Sequence, residues 1–338
     1  MSASIILGIE SSCDDTSAAI ISGSKILSNI AANQEIHNEY GGVVPELASR
    51  AHQQNIIPVV EKAFSKANIQ QNDICAIGFT RGPGLLGSLL VGTSFAKSLA
   101  MSLDVPLIEV NHLQAHILAH FIDDANPTPP TFPFLCLTVS GGHTMIVLVK
   151  DYFEMEIIGK TIDDAAGEAF DKIGKIFDLD YPAGPIIDKL AKEGNPDAFQ
   201  FNKPRMENYD YSFSGIKTSV LYFIQKEVRK NPDFIKENLN DLCASVQKSI
   251  IEILMNKLEK ASVDLNIKDV AIAGGVSANS ALRKAMELNQ EKLGWNIFIP
   301  KFEYTTDNAA MIAIVAKLKY ERGEFTDIRT TATAKYDL

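Results

Sequence analysis

Short apolar runs bounded by glycine, proline or small polar residues recur along the chain, and most are too short for anything but buried strands. Such runs cover residues 5–10, 17–21, 26–32, 73–80, 107–110, 134–139, 144–149, 154–159, 268–273 and 296–300. Between them lie stretches with helical spacing: 46–67, 85–103, 111–120, 161–177, 186–192, 211–229, 239–261 and a last helix opening at about 305. A kink is expected at Pro58 of the first helix, because proline lacks the backbone donor. Residues 41–45, Gly41-Gly42-Val43-Val44-Pro45, read as a loop leading into that helix. Strands mixed with helices predict an α/β chain. No internal repeat or low-complexity tract is visible.

Length divides this pattern. A chain of 338 residues is too long for one small core and predicts two lobes. Residues 126–133 hold four prolines and are the expected linker. The boundaries drawn are a first lobe over 1–125, with the helix at about 307–338 returning to it, and a second over 126–306. A helical insertion is expected in the second, at about 161–262.

Composition is ordinary for a globular protein, with 46% hydrophobic and 22% charged residues. The net charge of −10 argues against broad affinity for nucleic acid or membrane, so a polyanionic partner would need a local basic patch or a helper subunit. Cys13, Cys75, Cys136 and Cys243 form no CxxC pair, and free thiols are expected. No basic stretch precedes the first apolar run, so no signal peptide is expected. The most apolar helix, 85–103, is interrupted by Gly87, Gly92 and Lys97 and reads as a core helix. The expected location is the cytoplasm.

The candidate chemistry sits at the strand ends. Residues 134–149 read as strand, tight turn, strand, with Ser140-Gly141-Gly142-His143 as the turn. Glycines there allow an ordinary hairpin, and they equally allow an anion to approach the backbone amides. Gly274-Gly275-Val276-Ser277 repeats the theme, with Ser277 suited to cap the next helix. Arg81-Gly82-Pro83-Gly84 is a third glycine-rich junction, open to an anion-binding or a close-packing reading. Asp14 and Asp15 occupy a turn, where Asp bonds its own backbone, or form an acidic pair at a nucleotide–metal site.

Asn111 is placed to cap a helix on which His112 and His116 share a face, continued by His120. Three of the six histidines fall within this segment, which makes metal binding as good a reading as ordinary hydrogen bonding. The segment lacks the glutamate of HExxH, since Gln114 and Ala115 follow Leu113. On 161–177, Ala166, Phe170, Ile173 and Phe177 form an apolar stripe, opposite Asp164, Glu168, Asp171 and Lys175, with an Asp171–Lys175 pair expected. Arg50 and His52 read as solvated or structural. Thr306 or Asp307 is the expected cap of the last helix.

Taken together, Asp14-Asp15, 140–143 and Gly274-Gly275 resemble the phosphate and adenosine motifs of the actin/hexokinase/sugar-kinase superfamily. Residues 8–14, 111–116, 140–144, Phe213-Ser214-Gly215-Ile216-Lys217 and 274–279 narrow this. Over almost the whole chain the sequence resembles the universal tRNA threonylcarbamoyladenosine transferase family, once named as a glycoprotease. The resemblance implies a two-lobed actin-like, duplicated ribonuclease-H-like α/β fold with a nucleotide cleft between lobes. It implies transfer of threonylcarbamoyl from threonylcarbamoyl-AMP to N6 of adenosine 37 in tRNAs reading ANN codons. It implies one divalent metal per subunit, iron(II) with zinc as the alternative, on His112, His116 and Asp307. Thr138, Val139, Ser140, Gly141, Gly142, Asp171, Gly184, Asp188 and Asn279 would hold the donor, with Asp171 and Ser140 as catalytic candidates and ATP or ADP as further occupants. It also implies tRNA, a shorter paralogous subunit, a small P-loop ATPase and a threonylcarbamoyl-AMP synthase as partners, and no membrane. Lys203, Arg205 and Lys217 are the candidate RNA contacts. Two departures stand out: Asp15 replaces the usual glutamate, and Lys335-Tyr336-Asp337-Leu338 lacks the basic, aromatic ending expected.

Three other classes compete. A zinc endopeptidase lacks its glutamate. A small-molecule kinase has no use for the His pair. A non-catalytic scaffold would be free to lose the metal ligands, which this chain retains.

Overall fold

The computed structural model describes residues 4–32, 34, 37–40, 42–204 and 206–338, so Gly41 and Arg205 lie outside the described residues. The elements are β1 (Ile5–Glu10), β2 (Thr16–Ser22), β3 (Lys25–Ala32), α1 (His37–Tyr40), α2 (Pro45–Ala67), β4 (Ala76–Gly82), α3 (Leu86–Leu103), β5 (Leu107–Asn111), α4 (His112–Leu118), β6 (Phe134–Val139), β7 (Thr144–Asp151), β8 (Glu154–Lys160), α5 (Ala166–Ile176), α6 (Ala183–Ala191), α7 (Ser214–Val228), α8 (Phe234–Leu265), β9 (Asp269–Ala273), α9 (Ser280–Leu293), β10 (Asn296–Phe298) and α10 (Ala309–Glu321).

They form two units. Met1–Pro129 with Pro300–Leu338 is the first and Pro130–Ile299 the second. Each holds one five-stranded mixed sheet, ordered β3-β2-β1-β4-β5 and β10-β9-β6-β7-β8. In each, an antiparallel three-strand meander is followed by two parallel strands joined to its first strand: β1 pairs with β4, and β6 with β9. The same topology therefore occurs twice, although no repeat is visible in the sequence.

In the first unit, strand alternation sends side chains to two different partners. Leu7, Ile9, Ile77 and Phe79 join Val60, Phe64 and Ala96 of α2 and α3 in one core cluster. The intervening Gly8 and Gly78 face α10. A Cβ at Gly8 would lie 2.7 Å from the Ala309 carbonyl oxygen and the Ala313 nitrogen, and one at Gly78 would collide with the Ala316 side chain. These glycines let α10 lie directly on β1 and β4. In the second unit a single core gathers Leu135, Leu137 and Val139 of β6, Val270 and Ile272 of β9, and the inward faces of α5 to α9.

Some details differ from the pattern-based expectations. The helix α2 is continuous across Pro58. The carbonyl freed there belongs to Gln54, on the exposed side of the helix. The helix α8 runs from Phe234 rather than 239, with non-helical backbone at Asn238. Helix α3 is less of a core helix than expected. Only 33% of it is buried, and Leu86, Leu90 and Met101 are exposed. Its length and mean hydropathy of 1.3 would suffice for a membrane span, but it carries Lys97 and packs on α2 and β4. All four cysteines are free.

Close packing at Gly8 makes a direct prediction. Gly8→Ala should destabilise the protein by about 1–3 kcal/mol, because the two nearest atoms met by the new methyl are backbone of α10 and the third is the Ala313 Cβ. The urea midpoint reads this, and an unchanged midpoint would mean that α10 can move outward without cost.

Candidate functional site: a histidine–carboxylate centre and two open glycine turns

The first constellation lies wholly in the first unit. Strand β5 ends at Asn111, whose side-chain oxygen accepts from the amides of Leu113 (2.8 Å) and Gln114 (3.2 Å) and starts α4. Four-residue spacing brings His112 and His116 together edge to face, with their ring centroids 4.7 Å apart. Asp307 arrives from the other end of the chain. The cap of α10 is Asn308, not Thr306 or Asp307, since its side chain accepts from the Met311 amide. The Asp307 carboxylate is thus not used as a cap and reaches the histidines. His116 Nε2 lies 3.2 Å from Asp307 Oδ1 and 3.2 Å from His112 Nε2, and His112 Nε2 lies 3.4 Å from Asp307 Oδ1. One donor atom from each of the three lies within 4.8 Å of the others. His120 has left this stripe. It sits in a 3-10 turn, where Asn126 donates to its Nδ1 (3.0 Å).

Pattern reading missed Glu10. It is 0% exposed at the end of β1. One oxygen accepts from the Ser12 amide (2.5 Å), the other from Thr80 Oγ1 (2.6 Å) and His112 Nδ1 (3.0 Å). A carboxylate on Nδ1 fixes the tautomer that leaves the Nε2 lone pair for a metal, the usual outer partner of a ligating histidine. The available signal was a lone charge closing an otherwise apolar strand. Burial by itself would lower the His112 pKa, but the charges of Asp307 and Glu10 override it and raise it well above 6.5. Asp307 and Glu10 respond in kind. Burial pushes both up, yet His112 holds both below the ordinary carboxylate range. Two imidazole nitrogens and a carboxylate fit iron(II) or zinc(II). Asp15 nearby is pushed up to about 7 by burial and by the charges of Asp14, Asp307 and Glu10. His52 is structural. It is buried, bonded to Thr16 Oγ1 (2.7 Å) and donates to the Cys13 carbonyl (3.0 Å). Arg50 is exposed and pairs with Glu46.

The second constellation lies wholly in the second unit, at the carboxyl ends of the parallel strands β6 and β9, where open α/β sheets bind ligands. In the β6–β7 turn, Ser140 N donates to the His143 carbonyl (2.8 Å), and His143 N to Ser140 Oγ (3.1 Å). A Cβ at Gly141, Gly142 or Gly275 would meet nothing within 4 Å, so their backbone is open to approach. Gly274 has φ +86°, and a Cβ there would lie 2.5 Å from the Val139 carbonyl, so this turn closes against β6. Gly167 does the same for the start of α5 against Ser140. Thr138 and Val139 are buried in the strand and position the turn from below.

The remaining donor candidates share one role: each serves a helix start. Asp171 does not pair with Lys175. It accepts from the Ala183 amide (2.8 Å) and from that of Gly184 at the start of α6. Burial raises its pKa against those two bonds. Asp188 accepts from Ser280 N (3.2 Å) and Oγ (2.7 Å), and Asn279 caps α9 and donates to Gln247 (2.7 Å). Asn279, not Ser277, is therefore that cap. Lys203 pairs with Glu252, and Lys217 with Asp164 at 3.4 Å, so the two described RNA-contact candidates already face acids. The Arg81–Gly84 junction resolves as packing, since the amides of Gly84 and Leu85 donate to the carbonyls of Ala334 (3.3 Å) and Ser12 (2.7 Å).

Two α/β units of this topology define the sugar-kinase class of fold. A hexokinase of the ROK type from Thermus thermophilus superposes with a TM-score of 0.53 at 14% identity, over 94% of this chain and 100% of that one. Within that class, the sequence profile of the tRNA N6-adenosine threonylcarbamoyltransferases, TsaD, matches residues 25–314. Relatives with that name are 83% identical in Riemerella anatipestifer, over 100% of this chain and 99% of the relative, and 62% identical in Christiangramia forsetii, over 98% and 97%. The chain belongs to this family of transferases.

The buried Glu10–His112 pair predicts the behaviour of the centre. Asp307 and Glu10 raise the His112 pKa, and a proton on that ring competes with a metal for it, so apparent metal affinity should rise with pH until the ring is deprotonated. Calorimetry in buffers of different ionisation enthalpy should find proton release on metal binding that shrinks as the pH is raised. Glu10→Gln should weaken metal binding by about 10–100-fold. Wild-type affinity in that variant would remove Glu10 from the centre.

Proposed function

We propose that this chain transfers a threonylcarbamoyl group from threonylcarbamoyl-AMP to N6 of adenosine 37 in tRNAs that read ANN codons. The observation that carries this reading is the convergence of His112, His116 and Asp307, in a chain that belongs to the transferase family along its whole length. The same three residues would hold one divalent metal per subunit, iron(II) by preference and zinc(II) as the alternative. Bound there, the metal supplies Lewis-acid stabilisation and a template for the transferred group.

The donor is a mixed anhydride and already activated, so no protein nucleophile is required. The adenosine amine attacks the carbamoyl carbon, the bond to the phosphate oxygen breaks, AMP leaves and the amine gives up a proton. The open backbone of Gly141, Gly142 and Gly275 suits the phosphate, for which turn amides are a natural cradle, and also suits ATP or ADP. Ser140 shapes that turn through its bond from His143 N. Asp171 holds the Ala183-Gly184 start of α6 in place and so orients the donor.

The partners of this reading are tRNA, a shorter paralogous subunit, a small P-loop ATPase and a synthase that delivers threonylcarbamoyl-AMP, all in the cytoplasm. Two observations support a helper-dependent assembly. The chain is acidic, at −10, and Lys203 and Lys217 are paired with acids. Helices α2 and α3 also leave Ile57, Leu86, Leu90 and Met101 exposed, an apolar surface suited to a protein neighbour.

The test combines unmodified ANN-reading tRNA, preformed threonylcarbamoyl-AMP and the purified chain, with and without the partner subunits. Mass spectrometry should detect threonylcarbamoyladenosine. The rate should fall at least about a hundredfold in His112→Ala/His116→Ala, since losing ligands exceeds losing an outer partner. No product with all partners present would leave a nucleotide-binding scaffold as the better account.

A further inference from the structure

The irregular segment 331–337 is fastened to the strand ends that lead into the histidine helix. Arg81 Nε donates to the Thr331 carbonyl (3.2 Å), Thr333 N to the Arg81 carbonyl (2.9 Å) and Gly84 N to the Ala334 carbonyl (3.3 Å). A Cβ on Gly82 would collide with the Thr333 carbonyl, so the segment lies directly on the loop. Farther on, the Tyr336 hydroxyl donates to Glu109 Oε1 (3.0 Å). The Arg81 guanidinium sits over the Tyr336 ring (4.9 Å to its centroid) and forks onto the same carboxylate (3.1 and 2.9 Å). Finally, Asn111 Nδ2 donates to the carbonyls of Asp337 (2.8 Å) and Tyr336 (3.4 Å).

Asn111 is the joint. It is buried, and the two ends of its amide serve different masters. The oxygen caps α4 and the nitrogen holds the tail, so the tail fixes the rotamer in which the cap can form. Helix α4 has only seven residues and cannot sustain itself by propensity. Its first residue is His112 and its fifth is His116. Whatever sets its first turn sets the angle between the two imidazoles.

We propose that the segment 331–337 is a positioning element of the metal centre, acting through Asn111 on the register and orientation of His112 and His116. This rests on the metal reading of the His112–His116–Asp307 centre. None of the tail residues touches a reacting group. They act by holding the start of α4, with Glu109, Arg81 and Tyr336 as a second anchor two residues upstream of the cap.

Cobalt(II) binding to the full-length chain tests this through its visible spectrum. Asn111→Ser keeps a cap acceptor but cannot reach the tail. Tyr336→Phe removes only the bond to Glu109. A chain ending at residue 330 removes the whole segment. Asn111→Ser and the shortened chain should bind cobalt about tenfold or more weakly and show altered ligand-field bands. Tyr336→Phe should move in the same direction by less. Amide exchange over 112–118 should accelerate in all three. Arg329→Ala, on an exposed pair with Asp327, should leave both readouts unchanged. If the shortened chain does not fold, the two point variants carry the test. Wild-type cobalt affinity and an unchanged spectrum in Asn111→Ser, even with a lowered melting temperature, would overturn the inference and leave the tail as packing alone. A wild-type chain that takes up no cobalt would overturn the metal reading itself, and this inference with it.

Discussion

A charge buried at the end of a strand organises the first unit. Glu10 is fully enclosed, and an enclosed carboxylate is costly unless every lone pair finds a donor. Its partners come from three elements: the Ser12 amide after β1, the Thr80 hydroxyl on β4 and the His112 ring on α4. Satisfying that one group therefore locks the Ser11–Asp15 turn, the central parallel pair and the histidine helix to one another. His112 then lies between two carboxylates, Glu10 on Nδ1 and Asp307 beside Nε2. The two carboxylates favour the charged imidazole, and that attraction outweighs the cost of burying the ring.

Close backbone approach plays the matching role for Asp307. Glycines at 8 and 78 allow α10 to lie on the sheet, and Asn308 takes over the capping duty at its start. The residue just before the cap then falls beside the two histidines. A larger residue at position 8 would push the helix outward, and Asp307 with it.

The second unit solves a different problem with the same economy. Its glycine turns stay open because β-strand register places them at the sheet's carboxyl edge, and Gly274 and Gly167 draw the neighbouring segments tight around them. The polar residues nearby are not free groups waiting for a ligand. Asp171, Asp188 and Asn279 each satisfy orphan amides at a helix start. They fix where α6 and α9 begin, and thereby the backbone beside the glycine turns.

The sequence by itself determined much of this. Alternation and run length marked the strands, because a pleated strand exposes its two faces at a period of two whatever its neighbours do. Four-residue spacing put His112 and His116 on one helical face, and the Asn111 cap was legible from its residue type. The paired glycines marked the two turns. Only the tertiary structure decided the rest, because it depends on contacts between residues far apart in the chain. Asp307 meets His116 across 191 positions and Glu10 meets His112 across 102. The duplicated sheet topology left no sequence repeat to find. Local signals also offered competing caps at Ser277 or Asn279 and at Thr306, Asp307 or Asn308, and packing chose among them. The tail at 331–337 stood out in the sequence only as a departure from the expected ending, and nothing there showed that Asn111 lies within reach of its carbonyls. Periodicity specifies elements locally. Which elements meet is set by burial, and burial is a property of the whole fold.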